Sequence, residues 1–234
     1  MKRFYKDVQV QPAEGGFAVL LDGRSVKTPG RNTLVLPTER LAAAIAAEWQ
    51  AQGEEIIATT MPLLRLANTV VDGVTTNRDA VIDAVMRFGE NDLLCYRAHQ
   101  PPALVARQRE GWDPVLDWVR QRHGAPMRVA EGLAHVEQSP EALLALRQAL
   151  EAQDSFTLGA LHVVASITGS LVLALAVANG FISGANAFAL SRIDETYQAE
   201  KWGEDAEAAK RASNLAHELD KAVELMTAAR QEGN

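Results

Sequence analysis

The chain has 234 residues, 47% of them apolar and 23% charged, as in a soluble globular protein of one or two domains. Its net charge of −7, without any block of Lys or Arg, excludes nonspecific nucleic-acid binding. Its single cysteine, Cys95, excludes an intrachain disulfide, fits a reducing compartment and is interpreted as a small buried hydrophobe.

The first forty residues are predicted to form short β-strands. The strongest signal is Asp22-Gly23, because a type I′ hairpin turn needs two residues that tolerate positive φ. Further turns are predicted at Glu14-Gly15-Gly16 and at Pro29-Gly30. Together these signals predict a β-meander with strands at 4–10, 17–21, 24–28 and 33–36.

An amphipathic helix is predicted next, capped by Thr38 and ended by Gly53. Its apolar positions Leu41, Ile45 and Trp49 recur at a spacing of four residues. Trp49 on this face is predicted to be structural, and its loss should open a cavity costing about 3–5 kcal/mol.

The remainder of the chain is predicted to be helical, with a domain boundary near residue 75. Ser139 followed by Pro140, for example, combines a preferred N-cap with proline at the first helical position. The predicted fold class is therefore α+β, with a small N-terminal meander-plus-helix domain (residues 1–75) and a larger all-helical domain (residues 76–234).

Residues 158–178 carry no charge and are predicted to form one apolar helix closed by Asn179-Gly180. The run is nominally long enough to cross a bilayer. It contains His162 and several hydroxyl groups, however, and lacks flanking Lys/Arg and an aromatic belt. These features favour a buried helix at the centre of the helical domain over a membrane span.

The segment 191–207 is the strongest functional candidate. It is predicted to form a helix, to break at Trp202-Gly203 and to restart under an acidic cluster. On the first helix Glu195, Gln198 and Trp202 share one face, and Trp is enriched in binding hot spots, although a core Trp is an equally ordinary interpretation. Carboxylates in the first turn of the second helix also complement its dipole without any function. The predicted partner-binding residues are Asp194, Glu195, Tyr197, Gln198, Trp202, Glu204, Asp205 and Glu207.

No catalytic residue, metal site or cofactor is predicted. The chain lacks phosphate-binding glycine motifs, nucleophile elbows, HExxH and CxxC, and its five histidines show no ligand spacing. His162, Ser166 and Ser170 recur every four residues, which fits either a polar pocket lining or, as we favour, a packing seam with locally bonded hydroxyls.

Several motifs, distributed in order over nearly the whole chain, resemble the ATP synthase assembly factors that chaperone the alpha subunit of the soluble catalytic head. They are KRFY at 2–5, VLLDGRSVKTP at 19–29, AEWQAQ at 47–52, MPL at 61–63 with LANT at 66–69, NDLLCYR at 91–97, and the segment 191–203. The family has an N-terminal β-containing domain and a C-terminal helical domain. Its functionally sensitive acidic residues fall in the segment that matches 195–207, although this chain departs from the family pattern after Gly203 in being Ala-rich.

The resemblance implies a non-enzymatic chaperone that binds free alpha through its helical domain and shields the surface that later contacts beta. We further expect a monomer that needs no cofactor and, from its charge and the polar groups of the apolar run, one that binds no nucleic acid and does not insert stably into membranes. Since no presequence precedes KRFY, we expect a bacterial, cytoplasmic homologue of the mitochondrial matrix members. The alternatives are an enzyme that uses the clustered carboxylates, or an adaptor unrelated to ATP synthase.

Overall fold

A computed structural model of the protein describes residues 1–132 and 135–230. Within these residues the chain forms two compact units. The first unit comprises Met1–Arg78, Asp154–Ala160 and residues 221–230, and the second comprises Asp79–Gln153 and Leu161–Asp220. A small strand region followed by a larger helical region confirms the predicted α+β class, and the boundary near residue 75 stays a prediction.

A four-stranded antiparallel sheet lies in the first unit, and its strands are β1 (Val8–Ala13), β2 (Gly16–Leu21), β3 (Arg24–Ser25) and β4 (Val35–Leu36). β2 is central, because β1, β3 and β4 all pair with it. The predicted turn at Asp22 and Gly23 is confirmed, with φ of 48° and 78°. β4 returns to β2 rather than to β3, and this close return requires Gly16, where an added Cβ would lie 2.1 Å from the Leu36 carbonyl oxygen.

Two helices follow the sheet in the first unit, α1 (Glu39–Gln50) and α2 (Pro62–Thr69). The Thr38 hydroxyl accepts from the Leu41 amide and so caps α1, as predicted. The predicted apolar face of α1 is buried and packs on β1 and β2. A short 3-10 turn (Ala58–Thr60) precedes α2 and a π turn (Val70–Val74) follows it.

Helices dominate the chain after residue 77. They are α3 (Arg78–Glu90), α4 (Pro102–His123), α5 (Pro140–Glu151), α6 (Ser155–Thr168), α7 (Leu171–Ala178), α8 (Gly184–Ser191), α9 (Ile193–Trp202) and α10 (Ala206–Ala229). The predicted start after Ser139 is confirmed, since its hydroxyl accepts from the Ala142 amide. The helical region also contains a short parallel pair, β5 (Tyr96–Arg97) with β6 (Ala130–Glu131), which the sequence did not predict.

The apolar run 158–178 is two helices, so the prediction of one continuous helix was wrong. α6 ends at Thr168, Gly169 adopts a left-handed φ of 69°, and the Ser170 hydroxyl accepts from the Leu173 amide to cap α7. Glycine's freedom at positive φ and a serine cap together override the continuous apolar pattern. Among the described residues, no helix is long and apolar enough to span a membrane.

Asp92 stabilises this break from within the second unit. Its carboxylate is buried and accepts from the amides of Leu94 (3.1 Å) and Val172 (2.9 Å), at the starts of a 3-10 turn and of α7. Burial raises the pKa of the Asp92 carboxyl to about 6. A single buried side chain therefore satisfies backbone donors of two segments some eighty residues apart.

Candidate functional site

Helix α9 carries the centre of the candidate segment, and buried side chains of α4 hold it in place. Trp112, 1% exposed, donates its indole N–H to the carbonyl oxygen of Leu190 (2.8 Å) in the last turn of α8, three residues before α9. Gln108, also 1% exposed, donates to Asp194 Oδ1 (2.7 Å) and accepts from the Ala98 amide (2.8 Å). Asp194 thus serves as an anchor between helices, because its carboxylate is bonded to a buried amide.

A second contact fixes the middle of α9. The Arg107 guanidinium makes a bidentate pair with Glu200, at 2.9 and 2.7 Å. Its central carbon also lies 5.2 Å from the centroid of the Tyr197 ring, and Lys201 Nζ lies 5.6 Å from the same centroid. Tyr197 is only 7% exposed. The hydrogen bonds from Arg107 lower the pKa of the Glu200 carboxyl.

The outer face of α9 has the opposite character. Glu195 and Gln198 are exposed, and Trp202 is 79% exposed, the most exposed of the large apolar side chains in the described chain. Glu195 lies 3.6 Å from the Arg192 guanidinium. Leaving an indole in water forgoes the stabilisation that burial gives elsewhere in the molecule. This arrangement is typical of a surface that another molecule covers.

The predicted break between two helices lies directly after Trp202. α9 ends at Trp202, and Gly203 has a φ of 96°. Asp205 caps α10, since its Oδ1 accepts from the Glu207 amide (3.0 Å), and Glu207 pairs with Arg211 one turn later (2.8 Å). Part of the acidic cluster is therefore explained by helix capping, which was one of the two interpretations of the sequence.

An open groove of about 540 Å³ lies between α8, α9 and the start of α10. Five of the eight predicted residues line it, and Asp194, Tyr197 and Glu207 do not. Carboxylates and the Trp202 ring stand beside small alanine side chains there, so the groove offers both an apolar contact surface and negative charge. Its lining is Phe188, Ala189, Arg192, Glu195, Thr196, Gln198, Ala199, Trp202, Gly203, Glu204, Asp205, Ala208, Ala209 and Ala212.

Sequence reasoning missed two parts of this site. The alanines of α10 were noted only as a departure from a pattern, although their small size leaves room for the groove. Arg107 and Gln108 lie about ninety residues before α9, and nothing in their local sequence indicates that contact.

The polar stripe on α6 forms no catalytic arrangement in the described chain. The Ser166 hydroxyl donates to the His162 carbonyl oxygen (2.7 Å) within its own helix, and Ser170 caps α7. Burial lowers the pKa of His162, and it raises the pKa of the Cys95 thiol to about 12, which keeps that thiol protonated. Residues 1–132 and 135–230 contain no group of three His, Cys, Asp or Glu placed to hold a metal ion.

Comparison with known proteins gives concordant results. The family described as "ATP12 chaperone protein" matches residues 2–120. Atp12 from Paracoccus denitrificans is 45% identical, with a TM-score of 0.95 over 98% of both chains. Protein Atu1473 from Agrobacterium tumefaciens is 43% identical, with a TM-score of 0.94 over 98% of this chain and 86% of the other. The mitochondrial protein atp12 of Schizosaccharomyces pombe is 25% identical over 220 residues, covering 88% of this chain and 75% of the yeast protein.

Proposed function

Because the chain belongs to the ATP12 chaperone family, which acts in ATP synthase assembly, we propose that it binds the free alpha subunit of the catalytic head. In this proposal it shields the surface of alpha that later contacts beta. An unpaired subunit of an obligate assembly exposes a large apolar interface, which is an aggregation hazard. A chaperone that covers this interface reversibly prevents that aggregation.

The exposure of Trp202 beside the acidic groove is the observation that carries the proposal. A rigid indole fills a pocket on a partner at low entropic cost, and tryptophan is the residue most enriched in binding hot spots. Glu195, Glu204 and Asp205 surround it with negative charge, so the complementary surface on alpha should carry Arg or Lys. Such charges act mainly on encounter rate and register, while the apolar anchor supplies most of the affinity.

The eight predicted residues have two roles in this proposal. Glu195, Gln198, Trp202, Glu204 and Asp205 contact alpha, because they line the groove. Asp194 and Tyr197 hold α9 against α4, and Glu207 belongs to the first turn of α10. The protein acts by binding alone, as a cytoplasmic monomer, and requires no nucleotide, metal or catalytic step.

The test is co-expression of this chain with the ATP synthase alpha subunit of the same organism, without beta, followed by size-exclusion chromatography. We expect a soluble complex that added beta dissociates. E195K/E204K should abolish the complex without loss of helical circular dichroism. It replaces two carboxylates of the groove with ammonium groups, which repel the Arg or Lys side chains expected on alpha.

The matched control is E90K/E110K, which makes the same change in net charge at exposed positions outside the groove. This variant should bind alpha as the unaltered chain does. Alpha that precipitates in the presence of the unaltered chain would refute the proposed partner. Equal loss of binding in both double variants would refute the proposed surface.

A further inference from the structure

A second groove, of about 470 Å³, lies entirely within the first unit. Three segments form its walls: the extended N-terminal segment, the hairpin of β2 and β3, and helix α1. Its volume falls within the range of ligand-binding pockets. Its lining is Phe4, Leu21, Asp22, Arg24, Ser25, Val26, Lys27 and Trp49.

The aromatic side of this groove contains two unusual groups. Phe4 is 64% exposed, although its ring makes an edge contact with the ring of Tyr5, with 5.4 Å between the ring centroids. Trp49 is only 8% exposed, yet its indole N–H has no hydrogen-bond acceptor among the described residues. The nitrogen itself is covered by protein, so an occupant of the groove would contact the ring of Trp49 and not its N–H.

The polar side of the groove is cationic. Arg24 and Lys27 are exposed, and in the described part of the chain no ion pair within 4.0 Å involves either of them. The one carboxylate of the lining, Asp22, accepts hydrogen bonds from the amides of Lys6 (3.0 Å) and Asp7 (2.8 Å). The lining therefore carries two cations and one carboxylate, so its net charge is positive although Arg24 also interacts with the Asp22 carboxylate.

We propose that this groove is a second binding site, which takes an extended peptide segment bearing a carboxylate next to an apolar or aromatic side chain. The carboxylate pairs with Arg24 and Lys27, and the apolar side chain packs against Phe4, Leu21, Val26 and the ring of Trp49. A peptide is the occupant that suits a chaperone family, and neighbouring residues of a peptide can present a carboxylate and an apolar side chain together to this mixed lining.

This site goes beyond the proposed alpha-binding surface and does not depend on it. Its charge is opposite to that of the α9 groove, so the two sites select oppositely charged segments.

The test uses the full chain and the peptide acetyl-Glu-Leu-Phe-Asp-Leu-amide, with its neutral twin acetyl-Gln-Leu-Phe-Asn-Leu-amide. In ¹H–¹⁵N spectra with assigned indole signals, the acidic peptide at millimolar concentration should shift the indole resonance of Trp49, which lines the groove, together with the Arg24 and Lys27 amides. The neutral twin should bind about tenfold more weakly, since it lacks the charge-assisted pairs. R24E/K27E should weaken binding of the acidic peptide by at least about tenfold, and Phe4→Ala should weaken it by about fivefold.

R40E/R65E is the matched control, because it reverses two exposed arginines of the first unit that do not line the groove. It should bind the acidic peptide as the unaltered chain does, and Trp202→Ala should do the same. An unmoved Trp49 indole resonance, equal affinity for both peptides, or equal losses in R24E/K27E and R40E/R65E would each overturn the proposal. None of these outcomes bears on alpha binding, which the co-expression experiment measures separately.

Discussion

The two faces of α9 differ in burial and in hydrogen bonding, although their residues alternate along a helix of only ten residues. The inner face is bonded to α4 through Asp194 and Glu200, and its ring, Tyr197, is 7% exposed. The outer face presents Glu195, Gln198 and Trp202 to solvent, with Trp202 79% exposed. Each face contains acid and aromatic residues, so composition does not distinguish a supporting role from a contacting role.

The comparison shows how one short helix can be held in the fold by one face and present the other face to a binding partner. The polar anchors on the inner face, Asp194 and Glu200, are each hydrogen-bonded to a side chain of α4. The outer face has few internal contacts and therefore little stability to lose by mutation. Substitutions matched in chemistry but placed on opposite faces should separate stability from binding.

The largest expected difference is between the two aromatic residues. Tyr197→Ala should destabilise the protein by about 3 kcal/mol, because it removes a buried ring and leaves a cavity. Trp202→Ala should change stability by no more than about 0.5 kcal/mol, because its ring is exposed, yet weaken alpha binding by about 2 kcal/mol. Urea denaturation followed by circular dichroism measures the first effect and titration calorimetry the second. Similar stability losses in the two variants would contradict the division of faces.

The next contrast is between two glutamines. Gln108→Ala should cost about 1 kcal/mol, since it removes a buried side chain and leaves the partly buried Asp194 carboxylate and Ala98 amide without this partner. Gln198→Ala, the same substitution on the exposed face, should be nearly neutral in urea denaturation. Gln108→Glu is the sharper variant, because it retains shape but places a second carboxylate against Asp194. If Gln108→Glu were as stable as the unaltered chain, the proposed bond to Asp194 would be wrong.

Local signals in the sequence were sufficient for much of the fold. The Asp22-Gly23 turn, the caps at Thr38 and Ser139, and the stop at Trp202-Gly203 each depend on a few neighbouring residues, and each is found in the structure. The break at Gly169 was missed because an uninterrupted apolar run dominates any periodicity analysis. Only the left-handed glycine and the serine cap at its centre indicate two helices.

The site was less predictable, for a physical reason. Spacing on a helix places Glu195, Gln198 and Trp202 together, but it cannot tell which side of the helix is covered. That side is determined by Arg107 and Gln108, whose contacts with α9 join positions about ninety residues apart. Asp194 and Glu195 are adjacent in sequence and chemically alike, yet only Asp194 is bonded to a buried residue of another helix.

The smallest expected effect concerns the pair of Arg107 and Glu200 on the inner face. Arg107 lowers the pKa of Glu200 in the folded protein, so the folded state binds a proton at this carboxyl less readily than the unfolded chain does. The stabilisation from the pair is therefore complete above the ordinary glutamate pKa and is lost as the pH falls through the lowered folded value. Glu200→Gln removes this contribution, so its urea midpoint should approach that of the unaltered chain as the pH is reduced from 7 to 3.

The pair is solvent-exposed, with the Arg107 and Glu200 side chains 43% and 46% accessible, so the difference should be small and should shrink further in 1 M salt. In an Arg107→Ala background, Glu200→Gln should change the pH dependence much less, because the cation that contributes most to lowering the carboxyl's pKa is gone and only Lys201 still acts on it. An undiminished effect in that background would mean that Arg107 is not the group that stabilises Glu200.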